Sequence, residues 1–159
     1  MKKTLSHFDR KGEARMVDVS AKEETERAAV AKGSVLMKRA TLDLVRKGKA
    51  KKGDVLAVAR LAGIMGAKRT SDLVPLTHPL ALDSVNLELR CDKNRNAVDI
   101  TATCKLKGRT GVEMEAMTAV AVAALTVYDM LKGVDRGMRI SEIRLVHKSG
   151  GKSGTFEAS

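Results

Sequence analysis

Residues 85–106 read VNLELRCDKNRNAVDITATCKL. Val85, Leu87, Leu89 and Cys91 alternate with Asn86, Glu88, Arg90 and Asp92. After Lys93-Asn94-Arg95-Asn96, Val98, Ile100, Ala102, Cys104 and Leu106 alternate with Asp99, Thr101, Thr103 and Lys105. A period of two puts one set of side chains on one face of a strand, so each segment predicts a half-buried strand. The polar quartet between them is turn chemistry, and the whole predicts an antiparallel hairpin. Its register sets Cys91 opposite Val98 and Cys104 opposite Val85. The two sulfurs then do not face each other, and two buried free thiols are expected.

The segments on either side complete the fold class. Gly111–Gly133 is apolar on nearly every side between Ala116 and Leu125, the mark of a buried helix. Its acids, Glu113 and Glu115, fall in the first turn, and Asp129 and Lys132 in the last. Upstream, Met16–Val19 is a short strand candidate. Ala29, Ala31, Val35 and Met37 share one parity and predict a strand over 27–38. Ala40–Lys47 reads as a short helix stopped by Gly48. Asp54 is placed to cap a second helix that packs through Leu56, Ala59 and Gly63 and runs to about Arg69. The two prolines of SDLVPLTHPL end helical structure, and Arg139–Lys148 is a final strand. The order ββααββαβ implies an α+β domain, a mostly antiparallel sheet with helices packed on one face. No linker or repeat divides residues 1–159, so a single domain is expected, with residues 1–15 and 150–159 as loose ends.

Composition narrows the function. Apolar residues make up 43% of the 159, near the roughly 45–50% of ordinary globular domains. Aromatics are confined to Phe8, Tyr128 and Phe156. Lys+Arg outnumber Asp+Glu 30 to 19, a net charge of +11, which attracts anionic partners. The two cysteines form no CxxC pair and point to a reducing compartment. No apolar region follows the N-terminal lysines, so a signal peptide is not expected, and the apolar run Ala116–Tyr128 is shorter than the ~20 residues of a membrane helix. A cytoplasmic protein is expected. There is no GxSxG, no GxGxxG and no zinc-site spacing, so the expected metal set is empty.

Several clusters could carry chemistry. Asp129 and Lys132, at i and i+3, share one face of the long helix and form a candidate acid–base pair; a lysine with a lowered pKa could move protons near neutral pH. The simpler reading is a pair of dipole-matched helix ends. Lys52, in the run RKGKAKKGD (46–54), stands just before a helix start, where anions are favoured, and could reach a phosphate or a reacting group; such runs are otherwise solvated loops. The tail KSGGKSG (148–154) is no Walker A motif, because Val146 stands where its first glycine would be, yet glycines and serines with two lysines suit a nest around an anion. His78, between Thr77 and Pro79, is a loop histidine with either a functional or a hydrogen-bonding role.

MVDVSAKEET (16–25), KGDVLAVARLAGIMGAKRTSDLVPLTHPL (52–80), TGVEMEAMTAVAVAALTVYDMLK (110–132) and LVHKSGGKSG (145–154) together resemble the cyclic pyranopterin monophosphate synthase family of molybdenum-cofactor biosynthesis. The resemblance runs collinearly from about Phe8 to Gly154. It implies a ferredoxin-like fold and a hexamer of three dimers, with the site at a dimer interface. The implied reaction converts 3′,8-cyclo-7,8-dihydroguanosine 5′-triphosphate, supplied by a radical GTP cyclase, to cyclic pyranopterin monophosphate and diphosphate. It places the catalytic aspartate at Asp129 and the essential lysines at Lys52 and Lys132. Substrate contacts fall at Leu76, Thr77 and His78 and at Met114 and Glu115. The family usually reads LCHPL where this chain has Thr77, a small polar replacement expected to keep the same backbone contacts.

The chemistry divides accordingly. Lys148 and Lys152, with Arg27 and Lys68, are expected to hold the phosphates by charge-assisted hydrogen bonds. Lys52 and Lys132 are expected to move protons with Asp129 orienting them, and Glu113 or Glu115 to bind the guanine-like edge. No redox cofactor is implied; Mg²⁺ could accompany the phosphates. The rival readings are a basic RNA-binding or ribosome-associated module and an inactive anion-binding scaffold. The scarcity of aromatics argues against single-stranded nucleic acid, whose recognition leans on stacking.

Overall fold

The computed structural model describes residues 7–159. In chain order the elements are β1 (Thr25–Leu36), α1 (Arg39–Arg46), α2 (Val55–Lys68), α3 (Thr70–Leu73), β2 (Ser84–Asp92), β3 (Ala97–Gly108), α4 (Glu113–Leu131), β4 (Arg139–Ser149) and β5 (Phe156–Glu157). The strands form one antiparallel sheet in the order β2-β3-β1-β4-β5. With α1–α3 as one helical connection and β5 set aside, this is a βαββαβ chain with spatial order 2-3-1-4, the ferredoxin-like plan. The fold is α+β, with α2 and α4 packed on the sheet.

The hairpin has the register its alternation requires: Cys91 pairs with Val98 and Val85 with Cys104. Cys104 is fully buried. Cys91 is only half-buried, a correction to the expected pair of buried thiols, because β2 is the edge strand and Cys91 sits near its end. Burial pushes both thiols up, that of Cys104 to about 12, so both stay protonated and unreactive at neutral pH.

Met16–Val19 does not form a strand. Both flanks of β1 are occupied, by β3 and β4, so residues 16–19 have no central partner and carry no regular secondary structure. The observed order is therefore βαααββαββ, with the short turns of α3 and β5 absent from the sequence reading. Residues 7–15 fold into a turn closed by a Phe8–Ala14 bridge and by Arg15 N–H donating to the His7 carbonyl at 2.8 Å. The expected loose N-terminus lies partly in residues 1–6, outside the described residues.

α4 is the core of the domain. Its length and apolarity match a membrane span, but Ala116, Ala119, Val120, Ala123, Ala124 and Val127 are fully buried against the sheet and α2. Small residues let α2 come close. A Cβ on Gly63 would lie 2.9 Å from the Ala119 carbonyl and 2.3 Å from Leu87 Cδ2, below any normal contact. Gly63→Ala is therefore expected to destabilise the protein by about 1–2 kcal/mol, the overpacking strain less alanine's better helix propensity. A lower urea midpoint at unchanged slope checks this; an unchanged or higher midpoint would mean the helices can part without loss.

Candidate active site

Two charged clusters stand at opposite ends of α4. At its C-terminal end, Asp129 receives Lys132 Nζ on Oδ1 at 2.7 Å and Lys52 Nζ on Oδ2 at 3.3 Å. Lys52 Nζ also donates to the Asp129 carbonyl at 3.0 Å, satisfying one of the free carbonyls of the last helical turn. Lys132 comes from the same helix, three residues on. Lys52 comes from the loop between α1 and α2, where Gly53 takes a positive φ of 104° that turns the chain. All three side chains are about half exposed. The hydrogen bonds from Lys132 and then Lys52 hold the Asp129 carboxyl below the usual carboxylate range. Hydrogen bonding to Asp129 in turn raises the Lys132 ammonium.

Asp54 caps α2 by accepting from Ala57 N–H at 3.0 Å, as its place before the helix implies, and Lys52 beside it turns to Asp129. Lys132 is not a lysine of lowered pKa; its partner is a carboxylate, which holds it protonated.

At the N-terminal end of α4, Glu113 lies 3.4 Å from Lys148 Nζ, and Lys148 also donates to Ser153 Oγ. Arg27 on β1 donates to the Gly108 carbonyl at 3.3 Å and the Arg109 carbonyl at 3.2 Å. Its guanidinium packs on Gly151, whose positive φ of 74° favours glycine. Arg27, Gly151, Lys152 and Ser153 join Lys22, Glu23 and Thr25 around a cleft of about 720 Å³. Three cations against one carboxylate make the cleft anion-attracting. Thr25 Oγ1, at the edge of this cleft, is buried without a hydrogen-bond partner among the described residues. Lys22, Glu23 and Thr25 escaped the sequence reading as site residues; all three sat within a matched motif, but no periodicity marked them, whereas Ser153 belongs to the tail already read as a nest for an anion.

An apolar hollow lined by Leu76, Thr77, Pro75, Val74 and Met114, with His7 and Ala14, lies beside the same helix end. Leu76, Thr77 and Met114 thus converge. Thr77 Oγ1 donates to the Val74 carbonyl at 2.8 Å, and His78 Nε2 lies 2.7 Å from the Val17 carbonyl. One ring nitrogen of His78 is therefore committed to tying the N-terminal segment to this loop. Glu115 is 4% exposed; burial, with added repulsion from Glu113, pushes its carboxyl to about 7. Lys68 is exposed at the end of α2 and makes no ion pair among the described residues. The described residues include no group of three His, Cys, Asp or Glu able to hold a metal.

Comparison with known proteins meets this geometry. The chain is 66% identical over 155 residues to a cyclic pyranopterin monophosphate synthase of Rhodospirillum rubrum, covering 98% of this chain and 93% of that one. It is 62% identical over 154 residues to the protein of that name in Dinoroseobacter shibae, covering 97% and 98%, and 62% identical over 152 residues to that of Heliobacterium modesticaldum, covering 96% of each. The family model for MoaC matches residues 16–151. Since that span takes in both charged clusters, from Arg27 to Lys148, the chain belongs to the MoaC family.

Proposed function

We propose that this protein is a cyclic pyranopterin monophosphate synthase. It converts 3′,8-cyclo-7,8-dihydroguanosine 5′-triphosphate to cyclic pyranopterin monophosphate and diphosphate. The observation that carries the reading is the Lys52–Asp129–Lys132 cluster, a carboxylate bracketed by two ammonium groups, in a chain that also offers a cationic cleft of triphosphate size. Ring rearrangement and phosphate cyclisation need protons delivered to and taken from ring nitrogens and hydroxyls. Lys132, held protonated, is the donor; Asp129 orients both lysines; Lys52 is the second proton carrier. Arg27, Lys148 and Lys152 hold the phosphates. Lys68 would have to reach them from elsewhere in an assembly. Leu76, Thr77, Met114 and Glu115, whose carboxyl burial pushes up to about 7, receive the base, with Glu113 set against Lys148 and His78 fixing the loop.

The two clusters are joined by the sixteen-residue step from Glu113 to Asp129, about 24 Å of helix at 1.5 Å per residue. One substrate cannot touch both on one chain. A second copy that brings its own α4 end to the first supports a site at a subunit interface, and a hexamer of three dimers satisfies this. Leu61 and Met65 on α2 and Leu125 on α4, each more than half exposed, supply apolar surface for such contacts. The reading places the enzyme in the cytoplasm, downstream of a radical GTP cyclase. It needs no redox cofactor, and Mg²⁺ would arrive with the phosphates of the substrate. The RNA-binding alternative gains nothing from the sheet: a ferredoxin-like sheet that stacks bases does so on aromatics of its strands, and β1 and β3 carry none.

Incubation with the cyclic guanosine triphosphate intermediate should release one diphosphate per pterin formed. Absence of diphosphate release by well-folded protein would refute the reading.

A further inference from the structure

The C-terminal tail is built into the sheet. β5 pairs with the end of β4, His147 opposite Glu157 and Lys148 opposite Phe156. Ala158 N–H donates to the Val146 carbonyl at 2.9 Å, and His147 Nδ1 lies 2.5 Å from Glu157 Oε1. Between the two strands the chain loops through Gly150–Thr155, with Gly150, Gly151 and Gly154 all at positive φ and Gly154 N–H closing the turn onto the Gly151 carbonyl at 3.1 Å. The loop is pressed inward: a Cβ on Gly150 would lie 2.1 Å from the Glu26 carbonyl. Ser153 folds back to accept from Lys148. The anion cleft thus has one wall, Gly151-Lys152-Ser153, that is a hairpin loop anchored by a two-residue strand.

Such an anchor is slight. Phe156 and Glu157 are exposed, and a two-residue ladder with one His147–Glu157 hydrogen bond opposes the entropy of ordering six loop residues. Without it the loop has the few buried contacts typical of segments that open locally. We propose that β5 is a clasp holding the Gly150–Thr155 loop against the anion cleft, and that Glu157, through His147, is a positioning residue for Lys148, Lys152 and Ser153. The inference deepens the synthase reading and rests on it for the identity of the anion. The part concerning the loop stands on geometry alone.

The test uses the full chain, Glu157→Ala, and Glu157→Gln, which keeps a hydrogen-bond acceptor for His147 without the charge. Two readouts are taken: KM and kcat with the cyclic triphosphate, and the rate of tryptic cleavage after Lys152 with and without inorganic diphosphate. Glu157→Ala is expected to raise KM about two- to fivefold, the range an exposed pair can supply, with kcat at saturation retained. It should speed cleavage after Lys152 by a similar factor, and diphosphate should slow it again. Glu157→Gln should fall between. Unchanged cleavage in Glu157→Ala overturns the clasp, as does a loss confined to kcat. If the wild type proves inactive on the cyclic triphosphate, the synthase reading fails, while accelerated cleavage reversed by diphosphate would still support the clasp.

Discussion

Lys132→Ala is expected to lower kcat by about 10²- to 10⁴-fold, the range typical of a lost general acid or base, without a fall in melting temperature. Lys132 Nζ is 2.7 Å from Asp129 Oδ1 and half exposed; exposed ion pairs add little to folding, so the loss should be purely kinetic. Lys132→Arg separates the two ways a cation can act. The guanidinium keeps the charge beside Asp129 but does not give up a proton near neutral pH, so its kcat should stay close to that of Lys132→Ala. Recovery in Lys132→Arg would reassign the residue to electrostatic binding. Lys52→Ala should show a comparable fall, because Lys52 bonds the other carboxylate oxygen. Steady-state diphosphate release with a parallel thermal melt measures all three. Wild-type kcat in either alanine variant would remove that lysine from the chemistry.

The sequence showed what depends on near neighbours. The β2–β3 hairpin was readable to the residue, since strict alternation over two strands and a polar turn leave one register that buries the apolar set. Asp129 and Lys132 were readable as a pair because three residues on a helix bring side chains together. What Lys52 touches was not, because its partner is 77 positions away and only the packing of α2 on α4 brings the two near. The same holds for Glu113 and Lys148. Met16–Val19 was misread because four residues of mild alternation say nothing about whether a sheet edge is free. β5 was missed because two residues carry no period at all; what fixes Phe156–Glu157 is the geometry of β4 beside them.

Glu115→Gln is expected to stabilise the protein above pH 7 by up to about 3 kcal/mol, and to leave stability near pH 4 little changed. The carboxyl is 4% exposed, and its pKa rises from 4.5 to about 7, chiefly by burial. The folded protein therefore holds this proton more tightly than the unfolded chain. Stability linked to Glu115 is fully present below about pH 4.5, declines as pH rises through the interval, and is at its lowest above about pH 7, where folding must bury a charge. A shift of about 2.5 units at 1.36 kcal/mol each sets the ceiling of about 3 kcal/mol. Glutamine has nearly the same shape and cannot ionise, so its stability should not decline across that interval. Urea unfolding of both proteins at pH 5, 6, 7 and 8 measures the divergence. Parallel curves would show that Glu115 ionises as freely in the fold as in water. A neutral carboxyl at this position has a functional consequence, because only the protonated form can donate a hydrogen bond. Next in sequence to Met114, it would, in the synthase reading, offer an acceptor on the guanine-like ring a donor that an ionised glutamate lacks. The expected stabilisation in Glu115→Gln should then come with retained substrate binding, since the glutamine amide also donates. Glu115→Ala should lose that binding.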